Sequence, residues 1–385
     1  MNISVNTRLL MPGRLEGIGW FTFEIFRRLA ARHPEHTFHY LFDRPFSDEF
    51  LTSANIVPHV LPVQARHPVL WHIWHEWLLP RHLNKVRPEL FIATDGLFTR
   101  RAAGRAVSVI HDLNFEHHPE VLPPLVARYY RRNIPDYAQR STRLAAVSAF
   151  TKDDVKQTYG FADAQIDVVY NGVRSEFAPI DAVKQTDIRK TISGGAPYFV
   201  YVGSIHPRKN IARLLRAYDR FRAAAPSDVK LVLAGARMWN DPEIEAAYNS
   251  MQFREDVILT GRISSAELRD ILAAALALTY VSLFEGFGIP IVEAFASDVP
   301  VLTSDRTSMP EVAGDAALLV NPESVDAIAQ GMQTLAASAE LRAQLIAAGR
   351  ARAQHFSWEH SADSMWRCIE RALGAPAPSS RRKTQ

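Results

Sequence analysis

Residues 283–294 read Leu-Phe-Glu-Gly-Phe-Gly-Ile-Pro-Ile-Val-Glu-Ala, and this stretch decides the fold class. The apolar residues 275–281 precede it and have the length of a β-strand. After the two glycines comes Pro290, which is suited to the first position of a helix. The pattern predicts a strand, a glycine turn and the start of a helix. Such a turn presents unpaired backbone N–H groups and the positive end of a helix dipole, which both suit a phosphate group.

Two carboxylates flank this turn: Glu285 lies within it, and Glu293 lies just inside the predicted helix. Carboxylates accept hydrogen bonds from hydroxyl groups. A phosphate cradle beside two of them therefore predicts a sugar nucleotide as the ligand. The alternative is an ordinary strand-to-helix connection with two solvated glutamates, because short glycine motifs also occur by chance.

The composition is that of a globular protein with room for two domains. The chain has 385 residues, of which 47% are hydrophobic and 22% are charged. Its single cysteine, Cys368, excludes an internal disulfide and fits a reducing compartment. The sequence shows no signal peptide, and its most apolar segment, 271–284, is too short to cross a bilayer. We therefore expect a cytoplasmic protein.

The net charge of +3 comes from the first half of the chain and from three basic residues in the tail, Arg381, Arg382 and Lys383. Nucleic-acid binding requires a denser basic face. We therefore expect no nucleic-acid partner.

Predicted strands alternate with predicted helices along the whole chain, which indicates mostly parallel, doubly wound sheets. Residues 1–178 are predicted to form one Rossmann-like domain and 198–357 a second, with 179–197 as a linker. The helix 358–373 is expected to pack back on the first domain. The segment 374–385 is rich in proline, serine and basic residues and is predicted to be a disordered tail.

Ligands of open parallel sheets bind outside the carboxyl ends of the strands. Four candidate groups follow predicted strands: Gly17 with Gly19, His111, Arg208 with Lys209, and the turn that carries Glu285 and Glu293. Arg208 and Lys209 together could hold a diphosphate. The alternatives are a solvated loop pair for these cations and a structural role for His111.

The combination of motifs resembles the retaining glycosyltransferases of family 4. The resemblance implies an α/β protein with the GT-B fold, in which two Rossmann-like doubly wound parallel-sheet domains face a central cleft. His111-Asp-Leu-Asn-Phe and residues 198–210 are most similar to members that add mannose or related sugars to bacterial O-antigen and exopolysaccharide chains. The matching motifs are Gly17-Ile-Gly, Asn171-Gly-Val, Pro207-Arg-Lys-Asn, Glu285-Gly-Phe-Gly-Ile-Pro and Pro310-Glu-Val-Ala-Gly-Asp-Ala-Ala.

This resemblance implies transfer of a sugar, mannose from GDP-mannose in that subgroup, from a nucleotide sugar to a glycan or lipid-linked glycan acceptor. UDP-sugars stay open as donors. By the same resemblance, Glu293 binds the ribose hydroxyls and Glu285 binds the transferred sugar. Arg208 and Lys209 neutralise the diphosphate, and His111 contacts the donor sugar and the charge that develops at its anomeric carbon.

Backbone groups at glycine-rich turns supply the remaining implied contacts to the donor. Gly286, Phe287 and Gly288 offer backbone groups to the sugar and phosphate, while Gly17 and Gly19 close over the diphosphate from the first domain. Gly203 ends the first strand of the second domain. Many relatives have arginine directly after this glycine, where this chain has Ser204. We expect Arg208 to take over that phosphate contact.

The implied mechanism is retention by front-side attack, in which the departing phosphate oxygen accepts the proton of the acceptor. Catalysis would then consist mainly of leaving-group stabilisation and positioning. The sequence contains no Asp-x-Asp cluster, so we expect neither a metal nor another cofactor.

Three other functions share some of these features. A glycoside hydrolase also uses two carboxylates but has no need of a phosphate site. A sugar-nucleotide epimerase of the same fold would convert the donor without an acceptor. A non-catalytic sugar-nucleotide sensor would be free to lose some of the site residues, which are all present here.

Two further helices carry unusual side chains. The predicted helix 70–86 contains Trp71, Trp74 and Trp77, which are either core residues or part of an acceptor site. In the predicted helix 125–139, Arg128, Arg131 and Arg132 lie beside Tyr129 and Tyr130. This pattern indicates either a solvated face or weak peripheral contact with the anionic inner face of the cell membrane.

Overall fold

The computed structural model describes residues 1–102, 104–224, 227–236 and 241–375. Contacts within the chain divide it into two units. The first unit consists of Met1–Gly172 together with the chain from Trp358, and the second is Val173–Ser357. Each unit is built on one parallel sheet, as the alternation of strands and helices predicts.

The sheet of the first unit has seven strands among the described residues, in the order β3-β2-β1-β4-β5-β6-β7. Every neighbouring pair is parallel. The strands are β1 Asn2–Asn6, β2 Thr37–Phe42, β3 Ile56–Val60, β4 Leu90–Ala93, β5 Arg105–Ile110, β6 Arg143–Ala146 and β7 Ile166–Val168.

The helices of this unit cover both faces of the sheet, as its buried strands require. They are α1 Gly17–Arg32, α2 Pro68–Ile73, α3 Leu79–Val86, α4 Asn114–His117, α5 Pro124–Arg140 and α6 Ala149–Tyr159. The π-helical segment Trp74–Leu78 joins α2 to α3.

The sheet of the second unit has six strands in the described part of the chain, in the order β10-β9-β8-β11-β12-β13. All of its pairs are parallel. The strands are β8 Tyr198–Val202, β9 Lys230–Ala234, β10 Val257–Gly261, β11 Ala277–Tyr280, β12 Val301–Ser304 and β13 Ala317–Val320. The central strand β8 is buried along its whole length, because helices cover both of its faces.

Eight helices belong to the described part of the second unit, and one more returns to the first. The eight are α7 Ala182–Ser193, α8 Ile211–Ala224, α9 Pro242–Asn249, α10 Ser265–Ala273, α11 Ile289–Ala296, α12 Met309–Ala313, α13 Val325–Ala337 and α14 Ala339–Ala353. The last helix, α15 Trp358–Gly374, packs on α1 in the first unit, where Glu359 pairs with Arg28 at 2.6 Å.

The strand order of each sheet creates a ligand site by topology. In both sheets the chain moves outward from a central strand in one direction and then returns to add strands on its other side. The connections that leave the two adjacent central strands diverge at this switch point, which opens a crevice at their carboxyl ends. In the second unit these strands are β8 and β11, which precede Arg208 and Glu285.

Several sequence-based boundaries need correction. The segment 179–197, predicted to be a linker, contains α7, which Asp181 caps and which Arg189 ties to the backbone of Ala274 at 2.8 Å. The second unit begins at Val173. Gly374 closes α15, and residues 376–385 of the predicted tail lie outside the described residues.

Candidate active site

Arg208, Lys209 and Glu285 lie together at the switch point of the second unit. The loop after β8 forms a single 3-10 turn, Pro207–Lys209, in which the ring of His206 accepts the backbone N–H of Arg208 at 3.3 Å. The loop after β11 is bonded to this turn, because Leu283 donates its N–H to the backbone oxygen of Arg208 at 2.9 Å. The two loops therefore present their charged side chains to the same point.

Asn210 fixes the geometry of this turn. Its backbone is left-handed, with φ of +63°, a conformation that asparagine tolerates better than most residues. Its buried side chain donates to the backbone oxygens of Val281 at 3.0 Å and Pro322 at 2.6 Å. A single amide thus joins three loops at the carboxyl edge of the sheet.

Glu285 is buried and lies at the centre of a charge cluster whose two cations are partly buried. Arg208 Nη1 donates to Glu285 Oε2 at 2.9 Å and to the backbone oxygen of Phe284 at 2.6 Å. Lys209 Nζ contacts Glu285 Oε1, and Tyr280 donates its hydroxyl to the same oxygen at 2.9 Å. The cluster combines two cations with one carboxylate, so it keeps a net positive charge.

The electrostatics of the cluster favour an ionised Glu285. Burial by itself would raise the pKa of this carboxyl group, but the charges of Arg208 and Lys209 outweigh burial and lower its pKa to about 2. Glu285 is therefore a permanent anion at neutral pH. It orients the two cations and offsets part of the cost of holding them close together.

Tyr280 is a site residue that the sequence analysis did not identify. Its hydroxyl accepts from Lys209 Nζ at 2.9 Å while it donates to Glu285, and its ring stacks on Tyr201 with 6.2 Å between centroids. Burial raises the pKa of Tyr280, so it stays protonated. Its position at the end of an apolar strand, directly before the loop that carries Glu285, was the available sequence signal.

Glu293 lies inside α11, and its partner is Arg174. Arg174 Nη2 lies 3.1 Å from Glu293 Oε1, and both side chains are buried. Burial raises the pKa of Glu293 to about 7, although Arg174 opposes this shift. The two glutamates of the motif thus differ in protonation behaviour, since Glu285 has two cations and Glu293 has one.

The glycine turn between these glutamates is held from one side by α12. Ser308 donates its hydroxyl to the backbone oxygens of Glu285 at 2.9 Å and Phe287 at 3.0 Å. Gly288 precedes the helix in a left-handed conformation, with φ of +101°, which favours glycine. The helix begins at Ile289, so the predicted Pro290 occupies its second position rather than its first.

Gly203 allows a close approach of two strand ends. Its N–H donates to the backbone oxygen of Ala234 at 2.9 Å, and its φ is +140°. The neighbouring Gly235 packs directly on it: a Cβ atom on Gly235 would lie 1.8 Å from the oxygen of Gly203. Glycine is therefore required at Gly235, a residue that the sequence analysis did not single out.

The first unit contains the other predicted residues, Gly17, Gly19 and His111. The helix α1 begins at Gly17, so both glycines belong to its first turn. A Cβ on Gly19 would lie 2.9 Å from the backbone oxygen of Leu9, which explains glycine there by packing. Phe21 of the same helix contacts the His111 ring edge-on, with 5.1 Å between centroids.

His111 has a defined orientation at the end of β5. Its Nε2 atom lies 2.8 Å from the backbone oxygen of Thr94, so this nitrogen carries the proton. Burial lowers the pKa of His111, and the bond to Thr94 only partly offsets this effect. The imidazole is therefore neutral at neutral pH, with Nδ1 unprotonated.

Of the three tryptophans in the predicted helix 70–86, two are core residues and one lies at the surface. Trp74 is fully buried, and Trp71 packs on Tyr129 and Tyr130 with 5.4 and 5.3 Å between centroids. Trp77 is 43% exposed. Tyr129 is a core residue, and Tyr130 is partly buried against the same core, so the packing of the first unit already occupies both rings.

Two family models together match most of the chain. One, described as glycosyl transferases group 1, matches residues 183–352, and the other, described as glycosyltransferase family 4, matches residues 15–177. The chain belongs to the family 4 glycosyltransferases. Residues 183–352 include the whole Arg208, Lys209 and Glu285 cluster, while residues 15–177 include His111.

The glycosyltransferase is similar to bacterial O-antigen enzymes. It is 27% identical over 358 residues to O-antigen chain mannosyltransferase B of Escherichia coli, which covers 90% of this chain and 93% of that protein. It is 26% identical to the O-antigen chain mannosyltransferase RfbU of Salmonella typhimurium, over 71% of this chain and 72% of that one.

Solved structures confirm the fold of this glycosyltransferase. Sucrose-phosphate synthase from Thermosynechococcus elongatus superposes with a TM-score of 0.77, at 17% identity, over 97% of this chain and 99% of that one. The predicted GT-B architecture of two Rossmann-like domains is therefore confirmed.

No helix in the described part of the chain has both the length and the apolar character needed to cross a bilayer.

Proposed function

We propose that this glycosyltransferase moves mannose from GDP-mannose to a glycan or lipid-linked glycan acceptor in bacterial surface polysaccharide synthesis, with retention of the anomeric configuration. The observation that carries the proposal is the cluster of the partly buried Arg208 and Lys209 on the buried Glu285, at the switch point of the second sheet. The names of the E. coli and Salmonella relatives support mannose as the sugar and an O-antigen chain as the acceptor.

The two cations of the cluster supply what a diphosphate leaving group needs. Arg208 offers a planar fork of donors and Lys209 a point charge, and both are held in place by Glu285. Because Glu285 fixes them before the donor arrives, little reorganisation is needed as negative charge develops on the departing phosphate. The backbone N–H groups of Gly286, Phe287 and Gly288 add the positive end of α11.

The two glutamates have separate tasks in this proposal. Glu285 lies next to the cations and contacts the hydroxyls of the transferred sugar, while Glu293 accepts hydrogen bonds from the ribose. Tyr280 fixes the positions of the Glu285 and Lys209 side chains through a hydrogen bond of 2.9 Å to each. A rigid first layer of this kind suits positioning catalysis, in which geometry rather than a strong base lowers the barrier.

Retention follows from a front-side attack that requires no protein base. The acceptor hydroxyl attacks the anomeric carbon on the face from which the diphosphate leaves, and the departing phosphate oxygen takes its proton. His111, neutral and oriented by Thr94, contacts the donor sugar near the developing positive charge. Charge neutralisation by Arg208 and Lys209 makes this transfer independent of a metal.

Weak contact with an anionic membrane is part of the proposal, on a surface that differs from the predicted one. Leu125 on α5 is 60% exposed, and the exposed Arg128 and Arg132 follow it on the same helix. Arg131 instead pairs with Glu116 at 3.1 Å. The combination of apolar and basic side chains suits an anionic lipid surface.

The function is tested with purified protein, candidate donors and a lipid-linked or oligosaccharide acceptor. Thermal stabilisation by GDP and GDP-mannose rather than by UDP and its sugars identifies the base. Product analysis should then give an α-linked mannose on the acceptor, with release of GDP. Transfer of the sugar to water alone would indicate a hydrolase. Conversion of the donor in the absence of an acceptor would indicate an epimerase, and binding of the donor without turnover would indicate a sensor.

A further inference from the structure

Two histidines and a glutamate meet in the turn between α1 and β2. His33 Nδ1 lies 3.5 Å from Glu35 Oε1, and His36 Nε2 lies 3.3 Å from the same oxygen. The three potential ligand atoms all lie within 4.8 Å of one another. This cluster has no part in the proposed transfer reaction.

The sequence His33-Pro-Glu-His36 makes a tight turn that points both rings to one side. The N–H of His33 ends α1 on the oxygen of Leu29 at 3.0 Å, and the N–H of His36 donates to the oxygen of His33 at 3.1 Å. The two imidazole planes are nearly parallel, 5° apart, with 5.8 Å between centroids. The carboxylate of Glu35 reaches the edge of both rings.

Trp366 on α15 restricts these rings further. Its indole stacks on His33 with 3.6 Å between centroids and on His36 with 5.4 Å. The imidazoles are 23% and 14% exposed, so their positions are set by packing, while Glu35 is 59% exposed. Ligand atoms held by packing before an ion arrives lose little freedom on binding it.

This donor set has the chemistry of a transition-metal site. Zinc binds imidazole nitrogen and carboxylate oxygen at about 2.0–2.2 Å, which separates neighbouring tetrahedral ligand atoms by about 3.3 Å. The observed separations of 3.3 and 3.5 Å from Glu35 already match this value. Calcium and magnesium would require more oxygen ligands. Three protein ligands leave one coordination position for water.

The cluster lies at the opposite edge of the sheet from the catalytic region of its unit. His36 directly precedes β2, at the amino ends of the parallel strands, whereas His111 directly follows β5, at their carboxyl ends. An ion bound here would join the end of α1 to the turn before β2, next to the α15 residue Trp366. Its effect would be on the stability of the first unit and not on sugar transfer.

We propose that His33, Glu35 and His36 form a binding site for a divalent transition-metal ion of the zinc type. The ion completes the turn between α1 and β2 and stabilises the folded first unit by mass action. Imidazole and carboxylate ligands also bind Cu²⁺ and Ni²⁺ tightly, according to the usual affinity order of divalent ions. These two ions are therefore useful probes beside Zn²⁺.

The test uses the full chain without a histidine tag. Calorimetric titration with Zn²⁺ should show one saturable site per chain, and Zn²⁺ should raise the Tm. The double variant with His33→Gln and His36→Gln should bind at least about tenfold more weakly, since even outer-shell substitutions cost about 10–100-fold. His118→Gln is the matched control, because it removes a histidine whose Nδ1 lies 3.3 Å from a carboxylate, Glu120 Oε1, outside the proposed site.

Two further measurements make the outcome decisive. Glu35→Gln alters only an exposed side chain and should also weaken Zn²⁺ binding. This variant therefore tests the site even if the double histidine variant does not fold. Cu²⁺ should quench tryptophan fluorescence in the wild-type chain and much less in Trp366→Phe. No saturable Zn²⁺ site, or equal affinity in the wild type and the histidine variants, would overturn the proposal. Transfer activity is assayed in parallel and should be the same with and without Zn²⁺.

Discussion

Arg174 Nη2 lies 3.1 Å from Glu293 Oε1, and the two side chains are only 7% and 6% exposed. This buried pair joins the first residues of the second unit to the helix after the glycine turn. Arg174 also contacts Glu176 at 2.9 Å and lies over the ring of Phe177. The positive charge that opposes protonation of Glu293 is therefore itself held by neighbouring side chains.

The pair predicts a pH-dependent affinity for the donor. With a pKa of about 7, Glu293 is protonated below neutral pH and ionised above it. The ionised carboxylate is the stronger acceptor for ribose hydroxyls, so donor affinity should increase as the pH rises from about 6 to about 8. Calorimetry should use the nucleotide sugar, because a terminal phosphate of free GDP titrates near pH 6.

Arg174→Gln removes the charge that favours ionised Glu293, so the rise in affinity should move to higher pH. Arg174→Lys keeps the charge and is the matched control, with a smaller displacement expected. Identical pH profiles for wild type and Arg174→Gln would show that Arg174 does not act on the ribose contact.

Substitution of each of the two glutamates should have a different effect in steady-state kinetics. Glu293→Ala should weaken donor binding by about 1–3 kcal/mol, because it removes the partner of buried hydroxyls. Glu285→Ala should lower kcat more than nucleotide affinity, because Arg208 and Lys209 lose their orientation. Wild-type kinetics in both variants with an identified donor would contradict the site assignment.

Glu285 should also contribute to stability in a pH-dependent way. Its pKa falls from an ordinary value of 4.5 to about 2 in the folded protein, so its stabilising effect is complete above the ordinary value and is lost as the pH falls towards 2. At neutral pH, Glu285→Gln should lower the free energy of unfolding by about 1–3 kcal/mol, since two partly buried cations lose their counter-charge.

Tyr280→Phe is the control for Glu285→Gln. It removes the hydrogen bonds to Glu285 and Lys209 and leaves all three charges, so its cost of about 1–3 kcal/mol should depend little on pH. Urea denaturation at neutral pH and in mild acid measures both variants. A Glu285→Gln effect of the same size at every pH would mean that its charge does not stabilise the fold.

The sequence was sufficient to predict the fold and the strand ends at which the charged residues of the candidate site lie, because both depend on local patterns. Buried parallel strands are continuous apolar runs, and the glycine turn with Pro290 marks a helix start. Arg208, Lys209 and Glu285 follow such strands directly. Their convergence follows from topology, because β8 and β11 are neighbours in the sheet.

Two of the residues missed by the sequence analysis, Arg174 and Ser308, make their contacts across long chain separations. Arg174 reaches Glu293, and Ser308 reaches the backbone of Glu285, through tertiary packing that has no local pattern. The helix α7 was mistaken for a linker because its only buried residue is Ser193, so it has no apolar period. Its end signals, Asp181 and Gly194, were nevertheless present in the sequence.

Transfer should not require a metal. The proposed charge neutralisation by Arg208 and Lys209 predicts that EDTA leaves the rate of transfer essentially unchanged, while the product keeps the α-configuration of the donor. Loss of activity that magnesium or manganese restores, or a β-linked product from an α-linked donor, would contradict the mechanism. Any Tm decrease caused by EDTA would concern only the proposed site at His33, Glu35 and His36.

Membrane contact should depend on the exposed end of α5. Arg128 and Arg132 line an open groove of about 700 Å³ in the first unit, and the exposed Leu125 lies in the first turn of the same helix. Each basic residue near an anionic leaflet contributes about 1 kcal/mol, so binding should be weak and should decrease with salt. Vesicle co-sedimentation should show more binding to anionic than to neutral lipid.

Variants can assign this binding to its surface. Arg128→Gln combined with Arg132→Gln should reduce binding to anionic vesicles, whereas Arg131→Gln should have less effect because Arg131 is paired with Glu116. A chain truncated before Arg381 tests the basic tail separately. If only the truncation abolishes binding, the tail is the anchor and α5 is a solvated face. Equal binding to neutral and anionic vesicles would exclude electrostatic attachment, because charge attraction requires an anionic leaflet.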